Sequence, residues 1–141
     1  LGKKSKGILP LISKMPQDNH SLMQFYLDGK KNNFYTFFYV NDQKTKKIKN
    51  FELLKSSKYL QNKTTKSILF NQYIATKSVF SQRNIPFRSF QINKRDETSL
   101  GELFVFFILE TILLGKVLNL NPYDQPSVEL IKNETKKNLI N

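Results

Sequence analysis

The run "LFVFFILETILL" at 103–114 constrains the fold more than any other stretch of this chain. As a helix it is apolar on nearly every side, so it has no face to offer to water. It is also too short to cross the roughly 30 Å hydrocarbon core of a bilayer, and Glu110 lies inside it. The expectation is a central, buried helix that other elements must cover. Ser99 followed by Glu102 has the spacing of a capping box and predicts a helix start just ahead of the run.

The elements that flank this helix are read from period and punctuation. "NFYTFFYV" at 33–40 and "IPFRSFQI" at 85–92 are aromatic and β-branched without a helical period, and predict two strands, with Pro86 near the start of the second. Between them, from Thr65 to Arg83, Leu69, Phe70, Tyr73, Ile74 and Phe80 fall on one helical stripe. Upstream, Asn19 is placed to cap a short helix over "HSLMQFYLDG" that ends at Gly29. Residues 41–64 are lysine-rich and predict a surface connection with a little helix. After "NLNPYDQ", Pro126 stands where a last helix begins, because its missing N–H costs nothing there. Strands alternating with helices imply an α/β sandwich with a mostly parallel sheet. Two strands make an incomplete sheet, and a chain that opens on Leu rather than Met is expected to be a piece of a longer protein.

Composition narrows the chemistry. With no cysteine among 141 residues, thiolate metal sites, thiol nucleophiles and disulfides are excluded. At 39% hydrophobic and 13% aromatic the chain is too apolar for a disordered tail. Its net charge of +12 is of the kind that points to nucleic acid or anionic membranes. However, of the 23 basic residues only Arg83, Arg88 and Arg95 are arginine, the side chain suited to base and phosphate forks. The wealth of Lys, Asn, Ile and Phe fits codon drift in an A/T-rich genome. A solvated, compositionally biased surface is therefore the better reading, with no nucleic-acid partner and no membrane partner. Phosphate loops and the HExxH, CxxC and GxSxG patterns do not occur. No metal and no cofactor is implied.

Two stretches carry candidate chemistry. In "YDQPSVELIK", Asp124 and Gln125 stand at the mouth of the last helix, where free N–H groups and the positive dipole end suit an anion. Lys132 follows Gln125 by two turns on the same face and leans back toward that mouth. Equally, Lys132 has Glu129 three residues earlier, a commonplace helical pair of roughly 0.2–0.5 kcal/mol. His20 is the one histidine of the chain. On the residues alone it is either an acid–base group or an ordinary helix-start residue bonded to backbone.

The segment 115–132 resembles the C-terminal signature of phosphoglucose isomerases: an aromatic residue, Asp, Gln, a small residue, Val-Glu, two variable residues and Lys. Tyr123, Asp124, Gln125, Val128, Glu129 and Lys132 supply it, although Ile131 stands where many members have glycine. "SLGELFVFFILETILLGKVL" is similar to the bacterial form of the preceding helix. The opening "LGKKSKGILPLISKMPQDNHSLMQFYLDGKKNNFYTFF" resembles the segment that bears the family's histidine, with His20 at that position.

The resemblance implies a three-layer sandwich of the sugar-isomerase (SIS) type. Residues 1–141 would be the C-terminal part of the second such domain plus C-terminal helices. It implies an aldose–ketose isomerase of glucose 6-phosphate and fructose 6-phosphate, cytoplasmic and without cofactor. His20 and Lys132 would be catalytic and Gln125 substrate-binding, in an active site shared across a homodimer. The family's catalytic glutamate lies in a Glu-Ser-x-Gly-Lys motif, of which Leu1-Gly2-Lys3 matches only the end. Its phosphate loop and arginine lie further upstream, so the chain alone is expected to be inactive. The rival readings are a non-catalytic sugar-phosphate-binding domain and a basic nucleic-acid-binding module.

Overall fold

The computed structural model describes residues 2–41, 45, 47 and 55–140. The chain divides into two compact units, Leu11–Leu100 and Leu1–Pro10 with Gly101–Asn141.

The first unit is built on a parallel strand pair. Strands β1 (Tyr35–Val40) and β2 (Phe87–Ile92) run in register from Tyr35 opposite Phe87 to Val40 opposite Ile92. Parallel neighbours need a crossover, and helix α2 (Thr65–Gln82) lies between them in sequence. This is the α/β architecture that the alternation of strand and helix predicts.

Alternation along β1 sends Tyr35, Phe37 and Tyr39 to one face, where they meet α2. Phe80, fully buried, receives Tyr35 and Phe37 edge-on at centroid distances of 5.0 and 5.1 Å. Tyr39 stacks on Tyr73 at 5.1 Å. On the opposite face Phe38 stacks on Phe90 at 5.3 Å, and the Arg88 guanidinium lies over the rings of Phe34 and Phe90. The stripe predicted on α2 is thus only partly covered. Phe80 is core, while Phe70 and Ile74 remain 38% and 44% exposed.

Helix α1 (Met23–Asp28) is shorter than the predicted one. Asn19 does not cap it. Residues Gln17–Asn19 form a 3₁₀ turn instead, because Asp18 already serves the local backbone: its carboxylate accepts from Lys14 N–H and its carbonyl from Leu22 N–H. Gly29 closes α1 as predicted, its N–H bonded to the Phe25 carbonyl. At φ −76° it is not there for left-handed freedom. It is there for space, since a Cβ would come within 2.4 Å of the Phe25 oxygen. The connection 41–64 keeps a 3₁₀ turn at Lys55–Leu60. The rest of that predicted surface connection falls largely outside the described residues.

Helix α3 (Glu97–Val117) starts two residues before Ser99. The cap is Asp96, whose carbonyl accepts from Leu100 N–H and whose carboxylate accepts from Ser99 N–H at 2.9 Å. Ser99 and Glu102 therefore lie inside the helix, and the predicted capping box is displaced by an acidic cap that competes better for the same N–H groups.

The expectation of a buried helix is not met. Phe104, Ile108 and Leu113 are 60%, 57% and 61% exposed, and Gly115 alone of α3 is buried. Leu103, Phe107, Ile112 and Leu114 are half-buried, while Val105 and Leu109 stay exposed with the rest, so the cover that an all-round apolar helix calls for is only partial among the described residues. Among them, no helix is long and apolar enough to cross a membrane.

Helices α2 and α3 end alike. After α2, Asn84 adopts φ 54° and donates to the Ser81 carbonyl, while Ile85 N–H reaches back to Phe80. After α3, Asn119 adopts φ 54° and donates to Lys116, while Leu120 N–H reaches Gly115. Each is a Schellman stop, and the residue after the left-handed turn is buried in both, with Ile85 at 4% and Leu120 at 7% exposure. Helix α4 (Pro126–Ile140) follows, with Pro126 first as predicted.

Candidate functional site

His20 lies in the unit Leu11–Leu100, just after the 3₁₀ turn, with helical backbone angles of φ −76° and ψ −27°. It is exposed and has no hydrogen-bond partner among the described residues. The turn that carries it is tied to the sheet. The Ser13 hydroxyl lies 2.5 Å from the Tyr26 hydroxyl, and the Tyr26 ring meets Tyr35 of β1 edge-on. At the other end of α1, Arg83 bonds the Asp28 carboxylate and the Leu27 carbonyl. The imidazole thus stands free on a backbone held at both sides.

Gln125 and Lys132 lie in the other unit, on or beside α4. Gln125 is the helix cap: its carbonyl accepts from Val128 and Glu129 N–H at 3.0 and 3.2 Å. Pro126 has no N–H, and with Val128 and Glu129 bonded to Gln125 only the Ser127 N–H of the first turn is left without an intrahelical partner at the positive end. Lys132 donates to the Glu129 carboxylate at 2.7 Å, with both side chains well exposed. The pairing weighed against a ligand role is therefore present, and it holds the ammonium one turn from the helix mouth.

Sequence reasoning missed what holds that mouth in place. The Lys3 ammonium donates to the Asp124 carboxylate and to the Asn121 carbonyl. Lys6 reaches the Leu118 carbonyl at 3.3 Å. Tyr123 N–H bonds the Asn121 side-chain oxygen at 3.0 Å. The hydrogen bond from Lys3 is the main reason why the Asp124 carboxyl sits below its ordinary range; partial desolvation opposes it, and the Lys3 charge and the Asn121 side chain add to it. The available signal is Gly2-Lys3, which matches the end of the Glu-Ser-x-Gly-Lys motif and carries the lysine that makes these contacts.

His20, Gln125 and Lys132 line neither of two open clefts. One, of about 440 Å³, runs along α4 past Leu130, Asn133 and Lys137. The other, of about 320 Å³, lies at the carboxyl ends of β1 and β2 beside Tyr39, Asn41, Lys66 and Gln91. No cluster of three metal-ligating side chains occurs among the described residues.

No family profile matches the chain. A glucose-6-phosphate isomerase of Mesomycoplasma hyopneumoniae strain J is 38% identical to it over 143 aligned residues, which take in 98% of this chain and 33% of that protein. The chain is homologous to glucose-6-phosphate isomerase.

Relatives of the same name extend well beyond mycoplasmas. The protein of Shouchella clausii is 35% identical over 93% of this chain and 30% of its own length. That of Methanocaldococcus jannaschii is 30% identical over 92% and 32%. The chain thus spans about a third of the length of these glucose-6-phosphate isomerases. In fold it is similar to the crystal structure of a hypothetical protein from Thermus thermophilus, with a TM-score of 0.77 and 24% identity over 90% of this chain and 31% of that one.

Proposed function

We propose that this chain is the portion of an aldose–ketose isomerase that supplies a histidine, a glutamine and a lysine to the interconversion of glucose 6-phosphate and fructose 6-phosphate. The observation that carries the reading is the 38% identity over nearly the whole chain to a protein of that name. The α/β scaffold then belongs to a sandwich of the sugar-isomerase type, with residues 1–141 as part of its second domain and its closing helices. The working enzyme is a cytoplasmic homodimer, and its histidine serves the neighbouring subunit's site.

The chemistry begins with a closed sugar ring. Opening it needs a proton delivered to the ring oxygen and one taken from the anomeric hydroxyl. An imidazole suits both steps, because it donates a proton as the cation and accepts one as the neutral ring. His20 takes this role, Lys132 assists at the ring oxygen or holds hydroxyls, and Gln125 meets the substrate at the helix mouth. A carboxylate then carries a proton between C2 and C1 through a cis-enediol. No residue of these 141 matches the family's glutamate for that step, so the chain by itself does not turn over.

The reading is tested in a chimera, with this chain replacing the matching third of the Mesomycoplasma hyopneumoniae enzyme. Conversion of fructose 6-phosphate, coupled to oxidation of the glucose 6-phosphate formed, is expected from the chimera and not from the chain alone. A folded chimera that binds the sugar phosphate without converting it points instead to a binding domain. Salt-sensitive nucleic-acid binding without sugar-phosphate binding points to a basic module.

A further inference from the structure

We infer that Lys3 is a positioning residue for Gln125. Its ammonium, bonded to both the Asp124 carboxylate and the Asn121 carbonyl, fixes the loop that sets Gln125 at the open end of α4. The inference rests on the isomerase reading for what Gln125 then meets, but the geometry that carries it is independent of that reading.

Past the Schellman stop, where Asn119 and Leu120 are backbone-bonded and Leu120 is buried, the segment up to Gln125 has few other means of holding its shape. It leaves α3 through the left-handed Asn119 and passes Pro122 before α4 begins, so its backbone bonds are sparse. Three side chains organise it through four hydrogen bonds. Lys6 takes the Leu118 carbonyl at its start, Asn121 takes Tyr123 N–H at its middle, and Lys3 takes Asp124 and Asn121 at its end. Lys3 and Lys6 are brought together by a tight turn, in which Lys6 N–H bonds the Lys3 carbonyl at 2.8 Å and both Lys4 and Ser5 have positive φ. The Lys3 side chain is 18% exposed and that of Asp124 54%, against 59–67% for the side chains of the pairs along α4. Asp124 immediately precedes the capping residue, and holding it fixes the direction in which the Gln125 carbonyl and side chain leave the loop.

The test uses Lys3→Met, which keeps the stem and removes the ammonium, and Lys3→Arg, which keeps the charge. In the 141-residue chain, amide hydrogen exchange at Tyr123, Val128 and Glu129 is expected to quicken by about tenfold or more in Lys3→Met, the weight of one hydrogen bond to a charged group. Lys3→Arg should restore most of the protection. Unchanged exchange at these amides in Lys3→Met overturns the inference, as does equal loosening in both variants, which makes the role one of packing.

In the chimera, Lys3→Met is expected to raise KM for fructose 6-phosphate by about tenfold with little change in kcat, as loss of an aligned binding group does. An unchanged KM alongside quickened exchange overturns the link to substrate. An inactive parent chimera overturns the isomerase reading instead, and the exchange measurement still decides whether Lys3 holds Gln125.

Discussion

Tyr26 and Tyr35 meet edge to face, with centroids 5.2 Å apart and planes at 61°, and this contact seats α1 on the first strand. The turn bearing His20 hangs from the same ring through the Ser13 hydroxyl. Removing only the Tyr26 hydroxyl, in Tyr26→Phe, should cost roughly 0.5–1.5 kcal/mol in urea unfolding, the net value of one hydrogen bond. Tyr26→Ala should cost more, by at least about the 0.5–1.5 kcal/mol that an aromatic pair adds to its buried area. Equal stabilities for the two variants would show that the ring contact carries no weight.

Gly29 and Gly101 should respond oppositely to alanine. At Gly29 a Cβ would collide with the Phe25 carbonyl, so the end of α1 must shift, at about the 1–3 kcal/mol typical of overpacking. At Gly101, inside α3, a Cβ meets nothing within 4 Å. There Gly101→Ala should stabilise by about 0.5–1 kcal/mol through helix propensity. Thermal midpoints of the two variants, moving in opposite directions, check both statements.

Acid should attack the start of α3. The Ser99 N–H and hydroxyl hold the Asp96 carboxyl below its ordinary range. A carboxyl whose folded pKa is depressed adds stability that is fully present above its unfolded value, about 3.9, and that is lost as pH falls through the folded value. Asp96→Asn keeps a cap that cannot titrate. Its stability should therefore fall less steeply below about pH 4 than that of the parent, with part of the slope left to Asp124. Superimposable acid limbs would remove Asp96 from the account.

His20→Ala in the chimera should slow turnover of the cyclic sugar by about a hundred- to ten-thousand-fold, the usual weight of a general acid–base group. Open-chain substrate should be affected far less. Equal losses on both substrates would take ring opening away from His20.

The elements were legible where one pattern dominated. The aromatic runs gave β1 and β2 within two residues at their starts, and Pro126 marked α4 to the residue. Helix starts were less legible where two caps competed. Asp96 prevailed over Ser99, and Asp18 spent its oxygens on a 3₁₀ turn before α1 could begin. The apolar run predicts a burial that α3 largely lacks, because a sequence reports what a helix needs and not what stands beside it. Gln125 falls at the start of α4 and Lys132 within it, as Pro126 and the spacing predict, but the contact from Lys3 to Asp124 spans 121 positions of sequence, and no local pattern encodes it.

The matching stops after α2 and α3 bear on which substitutions those two positions accept. Glycine is the usual residue for a left-handed halt, and asparagine is one of the few others that adopt the same backbone readily. At Asn84 and Asn119, both at φ 54°, glycine is therefore the exchange that leaves the turn unstrained, whereas a β-branched side chain would oppose it. The buried Ile85 and Leu120 that follow anchor each turn, so a strained replacement would loosen a helix end and an apolar contact together.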